Sequence, residues 1–380
     1  MKISILFLLA MTAAGVLGPV PSANRPRARE FGVELGVLPP GPLNAITDVA
    51  GVKVGHVTII EGSDVRTGVT AIIPHEGNVF QDKVSAAIAV ANGFGKLTGS
   101  TQVEEMGTLE TPIILTNTLS VPTAAEALIE YTLGLAGNED VQSVNPIVGE
   151  TNDGWLNDIR GRHVRKDHVI EAIWKASGGP VVEGAVGAGT GTTCFDYKGG
   201  IGTSSRRLPR NRGGYTVGVL VQTNHGGILR IGDIPLGPLI EKSPSRRRLE
   251  GPAEGSCIIV AATDAPLDAR NLRRLAGRAL LGIARTGGYY SNGSGDYAIA
   301  FSTAPEVRTP HKPSSPLRTT TTLGDEAMSP LFLAAAEAAE EAILDSMFKS
   351  GRMEGRLGHV AEALPLDRLR EIMRKGDEKR

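Results

Sequence analysis

The chain has 380 residues, 41% of them hydrophobic, and a formal net charge of -1. That is enough apolar material for one large core or two ordinary ones, and it excludes an intrinsically disordered chain. The near-neutral balance also excludes a chain-wide electrostatic footprint for nucleic acid, and the run Arg246-Arg247-Arg248 reads as a local, solvated loop.

In chain order, MKISILFLLAMTAAGVLG opens with one Lys, an apolar run and then small residues. This is the pattern of a secretory signal peptide, expected to span residues 1–23 with cleavage after Gly18 or Ala23. The run from Ile3 to Leu17 falls short of the roughly 20 residues of a membrane helix. The sequence therefore predicts a periplasmic or secreted protein, free of the membrane once its leader is removed. An extended, proline-bearing lead-in follows over 24–43. Strands are predicted over 52–60, 68–73, 86–91 and 112–115, rich in Val, Ile and Ala between turn residues. Pro122 starts a helix that ends at Gly134, and a second helix runs over 165–177. Residues 215–223 form a strand, and 235–253 a connection exposed enough to be cut. A strand over 256–262 and an amphipathic helix over 268–285 come next. A strand over 297–302, an Ala/Glu-rich helix over 330–348 and a short helix after Arg352 complete the chain. Strands and helices are mixed without strict alternation, which predicts α+β layers rather than a doubly wound parallel sheet. With 48 glycines and only 4% aromatics, the cores must rest on Val, Ile, Leu and Ala.

The chemical motifs narrow quickly. No two histidines have the HExxH spacing and no CxxC is present, so no metal site is expected; His163 and His168, five apart on one helix, turn away from each other. The segment GAVGAGTGT, Gly184 to Thr192, lacks the GK[ST] of a phosphate loop and reads better as tight backbone packing. GxSxG is absent. Cys194 and Cys257 read as buried hydrophobes rather than a disulfide. In EGPAEGSCIIVAATDAP, Ser256 follows Gly255 at the first position of an apolar strand, where packing alone favours Val or Ile. Either Ser256 marks a loop–strand boundary or its hydroxyl serves chemistry. A cut between Gly255 and Ser256 gives the serine a free α-amine of pKa about 7.7–8.0, able to act as base on its own hydroxyl.

The segments EGSCIIVAATDAPL, VQTNHGG, GETNDGWLNDI, GAVGAGTGT, RTGGYYSNGSGDYAIAFST and LETPIILTNT together resemble the DmpA-type aminopeptidases. These L-aminopeptidase/D-amidase/esterases of peptidase family S58 include the β-peptidyl aminopeptidases. The resemblance runs from about Gly41 to Ala304 and returns in the Ala-rich C-terminal helix. It implies a four-layer αββα sandwich, similar to the Ntn hydrolases but with different connectivity. It implies a single domain over 24–380 that cuts itself at Gly255-Ser256 into an α subunit of about 24–255 and a β subunit of about 256–380. It implies a homotetramer of such heterodimers, and no cofactor. By motif, Ser256 corresponds to the nucleophile, Asn224 to the oxyanion donor, and Ser294 and Asp296 to the pair that orients the nucleophile and its amine. Glu150 corresponds to the acid that binds the substrate's free amine. Asn152 stands where some relatives carry Tyr. Expected substrates are short peptides, or amino acid amides and esters, with a free N-terminal amine. An ornithine acetyltransferase-like enzyme is a less apt comparison, since those use Thr at the cleavage point; a relative that never cleaves is the other alternative.

Overall fold

Among the described residues, buried apolar side chains sort into three large cores and one small satellite cluster of Leu156, Met353 and Ala361, and three stacked cores require four layers. The computed structural model describes residues 25–232, 234–239 and 254–377. The expected signal peptide and the run Arg246-Arg247-Arg248 lie outside them.

In chain order the principal elements are β1 (Lys53–Glu61), β2 (Val65–Ile73), β3 (Asp82–Gly93), β4 (Leu97–Thr98), α1 (Ser100–Met106), β5 (Thr108–Leu109), β6 (Ile113–Asn117), α2 (Val121–Leu133), β7 (Ile147–Thr151) and α3 (Lys166–Trp174). The second half contains β8 (Ile201–Arg207), β9 (Thr216–Asn224), β10 (Glu254–Thr263), α4 (Ala269–Ala279), α5 (Leu281–Arg285), β11 (Gly293–Ser302), β12 (Thr309–Pro310), α6 (Met328–Phe348) and α7 (Leu366–Asp377). A five-stranded sheet has the order β1-β2-β6-β7-β4, and a seven-stranded sheet the order β8-β9-β10-β11-β3-β12, with β5 also on β3.

Each sheet contains one parallel pair, β6–β7 and β10–β11. A parallel pair needs a crossover, and α2 supplies it in the first sheet, α4 with α5 in the second. These helices cover the outer faces. The core under α2 and α3 holds Val57, Val69, Ile114, Val148, Leu128 and Val169. The core between the sheets holds Ile72, Leu115, Leu220, Ile258, Val260 and Phe301. The third core packs Val219, Ile259 and Ala298 against Leu272, Leu275, Ala339 and Ile343 of the helices. The layers are therefore α–β–β–α, as expected.

Along β10 the alternation is strict: Cys257, Ile259 and Ala261 face the helices, while Ile258, Val260 and Ala262 face the other sheet. By the same period Ser256 belongs to the inter-sheet side. Both cysteines are buried and free.

Three expectations need correction. Strand β10 begins at Glu254, so Ser256 is its third residue and not its first. His163 precedes α3 and pairs with Asp158, so it does not share a helix with His168. The helix over 268–285 is two helices parted at Leu280, whose carbonyl accepts a hydrogen bond from the Tyr290 hydroxyl.

Candidate active site

The cross-strand register builds the centre of the site. Asn224 is the last residue of β9 and lies directly opposite Ser256, while Ser256 faces Gly295 on β11. Ser256 is buried, and its Oγ accepts a hydrogen bond from the Gly295 N–H at 3.1 Å. Among the described residues this is its one hydrogen bond. Gly255 has no room for a side chain, because a Cβ there would lie 2.6 Å from His225 Cα and 2.7 Å from the Asn224 carbonyl oxygen. The backbone before Ser256 is thus pressed against the turn that follows Asn224.

The gap between the sheets opens at this end into a cavity of about 620 Å³. Ser256, Gly255, Asn224, Glu150 and Asn152 all line it. Glu150 comes from the C-terminal end of β7, on the opposite sheet. It is 3% exposed and accepts the Lys96 N–H at 2.9 Å and the Thr118 hydroxyl. A carboxylate held by two donors, and facing an open cavity, is suited to a substrate cation. The Asn224 amide is fixed at both ends. Its Oδ1 accepts the Thr193 N–H at 3.0 Å, and its Nδ2 donates to the Asn152 carbonyl at 2.9 Å. Among the described residues no second acceptor takes the other Nδ2 proton, and Asn224 lines the cavity. The Asn152 side chain accepts the Gly154 N–H at 2.9 Å, so the main chain of Asn152, more than its amide, touches the other site residues.

Ser294 and Asp296 line a separate, much smaller cavity of about 10 Å³, together with His225 and Tyr290. Asp296 lies opposite Cys257 and shares its parity with Ala298 and Ala300, on the helix side of the sheet. The structure therefore places five of the seven expected residues around one cavity and two behind it, with His225 bordering both spaces. Asp296 is buried, and neither of its oxygens has a hydrogen bond of good geometry. Burial pushes its pKa up to about 6, with the Ser294 hydroxyl and the Cys257 amide pulling the other way. Burial pulls His225 down to about 4, so its imidazole is neutral at pH 7.

Motif reasoning missed several residues that complete the site. Thr118 closes the segment LETPIILTNT and holds Glu150, a role visible only once β6 and β7 pair. Thr193 follows the glycine-rich segment and anchors Asn224. Phe94 and Trp155, 69% and 54% exposed, form apolar walls of the large cavity, and His359 stacks on Trp155 at 3.7 Å. The glycine-rich segment is no phosphate cradle: the N–H groups of Gly187 and Ala188 are spent on the hydroxyls of Thr58 and Thr70.

Comparison with known proteins identifies the family. The model of peptidase family S58 matches residues 44–361. A beta-peptidyl aminopeptidase of Sphingosinicella microcystinivorans is 39% identical over 391 residues, covering 96% of each chain. The PH0078 protein of Pyrococcus horikoshii OT3 superposes with a TM-score of 0.86 at 49% identity, covering 93% of this chain and 99% of that one. The L-aminopeptidase D-Ala-esterase/amidase of Ochrobactrum anthropi, described as a variant of the Ntn hydrolase fold, superposes with a TM-score of 0.85 at 37% identity, again over 93% and 99%. A family model spanning most of the sequence, with relatives this similar along nearly their whole length, means that the chain belongs to peptidase family S58, the family of these aminopeptidases.

Proposed function

We propose that the protein is a serine aminopeptidase that activates itself by cutting the Gly255-Ser256 bond. The observation that carries this reading is Ser256 itself. It is a buried hydroxyl on a cavity wall, opposite an amide donor and across from a carboxylate, with no side-chain base among the described residues bonded to it. A serine hydroxyl needs activation at neutral pH, and an α-amine on the same residue supplies it.

In maturation, Ser256 Oγ attacks the Gly255 carbonyl carbon and the peptide nitrogen leaves, giving an ester. Water then releases the Gly255 carboxylate and frees both the hydroxyl and the amine of Ser256. In turnover, Glu150 binds the substrate's N-terminal ammonium and sets the first carbonyl against Ser256 Oγ. The α-amine takes the hydroxyl proton as the C–O bond forms and passes it to the departing amine. The second Nδ2 proton of Asn224 stabilises the oxyanion, and water cleaves the acyl-enzyme. Ser294 and Asp296 act from behind the strand, orienting the new terminus.

The names of the relatives support short peptides, amides and esters with a free N-terminal amine as substrates. The leader-like start supports export to the periplasm or exterior, and the family resemblance a tetramer of processed heterodimers. The test is a denaturing gel of purified protein. Wild type is expected to run as two fragments with a new N-terminus at Ser256, and Ser256→Ala as one. A wild-type protein that is active and uncut overturns the reading.

A further inference from the structure

Lys198 is one of the largest fully buried side chains, and among the described residues its ammonium bonds backbone carbonyls and makes no salt bridge. Its Nζ lies 2.9 Å from the Gly189 carbonyl oxygen, 2.8 Å from that of Thr192 and 2.7 Å from that of Gly199. An ammonium has three donors and no acceptor, so three carbonyls around one nitrogen suit the protonated form; a neutral amine would turn its lone pair onto one of them. Burial pulls the pKa down to about 7, while Cys194 and Asp153 act in the opposite direction. A buried cation held this way is costly unless its hydrogen bonds do something for the fold or the site.

The three carbonyls belong to one folded-back segment. Thr192 also accepts the Gly199 N–H, at 3.2 Å, so Lys198 sits inside a closed turn. The next residue, Thr193, lies inside that turn, directly opposite Lys198 in a two-stranded antiparallel hairpin (Thr193–Cys194 with Tyr197–Lys198), and points its N–H at Asn224 Oδ1. That bond decides which end of the amide faces which way, since only the oxygen can accept it. Without the cation, three carbonyl dipoles converge on an empty centre and the turn opens.

We propose that Lys198 is a positioning residue for the oxyanion site, its ammonium gathering the carbonyls of Gly189, Thr192 and Gly199 so that the Thr193 N–H holds Asn224 in its donating orientation. This rests on the reading of Asn224 as oxyanion donor. Lys198 touches no reacting atom; it acts through Thr193.

The test uses the mature, full-length protein. For Lys198→Met, the fraction of competent Ser256 is titrated with a serine-directed sulfonyl fluoride, and kcat and KM are measured on an aminoacyl p-nitroanilide. The expected result is a kcat per titrated site lowered about 30- to 100-fold, the scale of a small misplacement of a catalytic group, with KM within about threefold. In an Asn224→Ala background the same substitution is expected to add less than about threefold, because the group it positions is gone. A kcat per titrated site within about threefold of wild type, or full additivity with Asn224→Ala, overturns the proposal; a merely structural lysine lowers the titrated fraction and leaves the kcat of the surviving sites unchanged. If Lys198→Met does not fold, Thr193→Pro, which removes the N–H and keeps the lysine, is expected to lower kcat in the same way, and an unchanged kcat overturns it. Asn224→Ala alone with wild-type kcat sinks the underlying reading of Asn224, a different outcome from an inert Lys198→Met beside an impaired Asn224→Ala.

Discussion

Glu150 separates the two reactions proposed for Ser256. Self-cleavage involves no free amine, whereas turnover requires one to be held. The carboxylate is buried and already accepts the Lys96 N–H and the Thr118 hydroxyl, so Glu150→Gln keeps the shape and removes the charge. A hydrogen bond to a charged group is worth about 1.5–3 kcal/mol, so kcat/KM for amine-bearing substrates is expected to fall about 10- to 100-fold. The yield of cut chain on a denaturing gel is expected to match wild type. A variant that loses cleavage and turnover together would place Glu150 in the maturation step instead. At this scale the motifs pointed to residues that the fold gathers around one cavity, as with Ser256, Asn224 and Glu150. The sequence was silent where the partner is a backbone group reached through folding: the Gly295 N–H on Ser256, or the Thr193 N–H on Asn224.

Elements were legible where apolar periodicity ran unbroken. The expected strand over 215–223 and helix over 330–348 match β9 and α6 within two residues at each end. Strand β8 was not, and its reason is physical. It reads IGTSSRR, polar and small, yet every residue but the last is buried. Helix α6 crosses so closely that a Cβ on Gly202 would lie 1.9 Å from the Ala342 carbonyl oxygen. Its polar side chains answer charges on α6: Arg206 bonds Glu337 at 3.2 Å and Glu341 at 2.6 Å, all three fully or nearly fully buried. Strand β7, which carries Glu150, was missed because five residues with a central glycine give no periodic signal. The α6 network has a measurable consequence. Removing one member of a buried ion cluster leaves the others uncompensated, at a cost of about 3–5 kcal/mol. Arg206→Met is therefore expected to lower the unfolding free energy by about that much in urea titrations, while the molecules that remain folded keep wild-type KM. A loss below about 1 kcal/mol would mean that Arg29, which also bonds Glu341, already neutralises it, with the Asn44 amide adding a hydrogen bond.

Across the whole molecule, buried titratable groups pull stability in opposite directions with pH. His225 is depressed by burial from 6.5 to about 4, so the unfolded chain binds the extra proton first. Its contribution is present above pH 6.5 and is lost as the pH falls toward 4, in total about 3 kcal/mol. Asp296 and Asp153 are raised by burial to about 6 and about 7. Their contribution is complete below the ordinary carboxylate value of 3.8 and is lost as the pH climbs through those folded values. The acid limb of the stability curve therefore leans on the imidazole that borders both cavities, and the limb toward neutrality leans on the carboxyls of Asp296 and Asp153. His225→Gln keeps a polar side chain beside Cys194 and Phe195 but cannot titrate. Its urea midpoints, measured from pH 4 to pH 7 beside those of wild type, are expected to fall less steeply toward acid, and the pH of maximum stability is expected to move down. Curves that stay parallel over that range would mean that His225 is protonated in the folded protein as readily as in the unfolded chain, and that its imidazole is open to water.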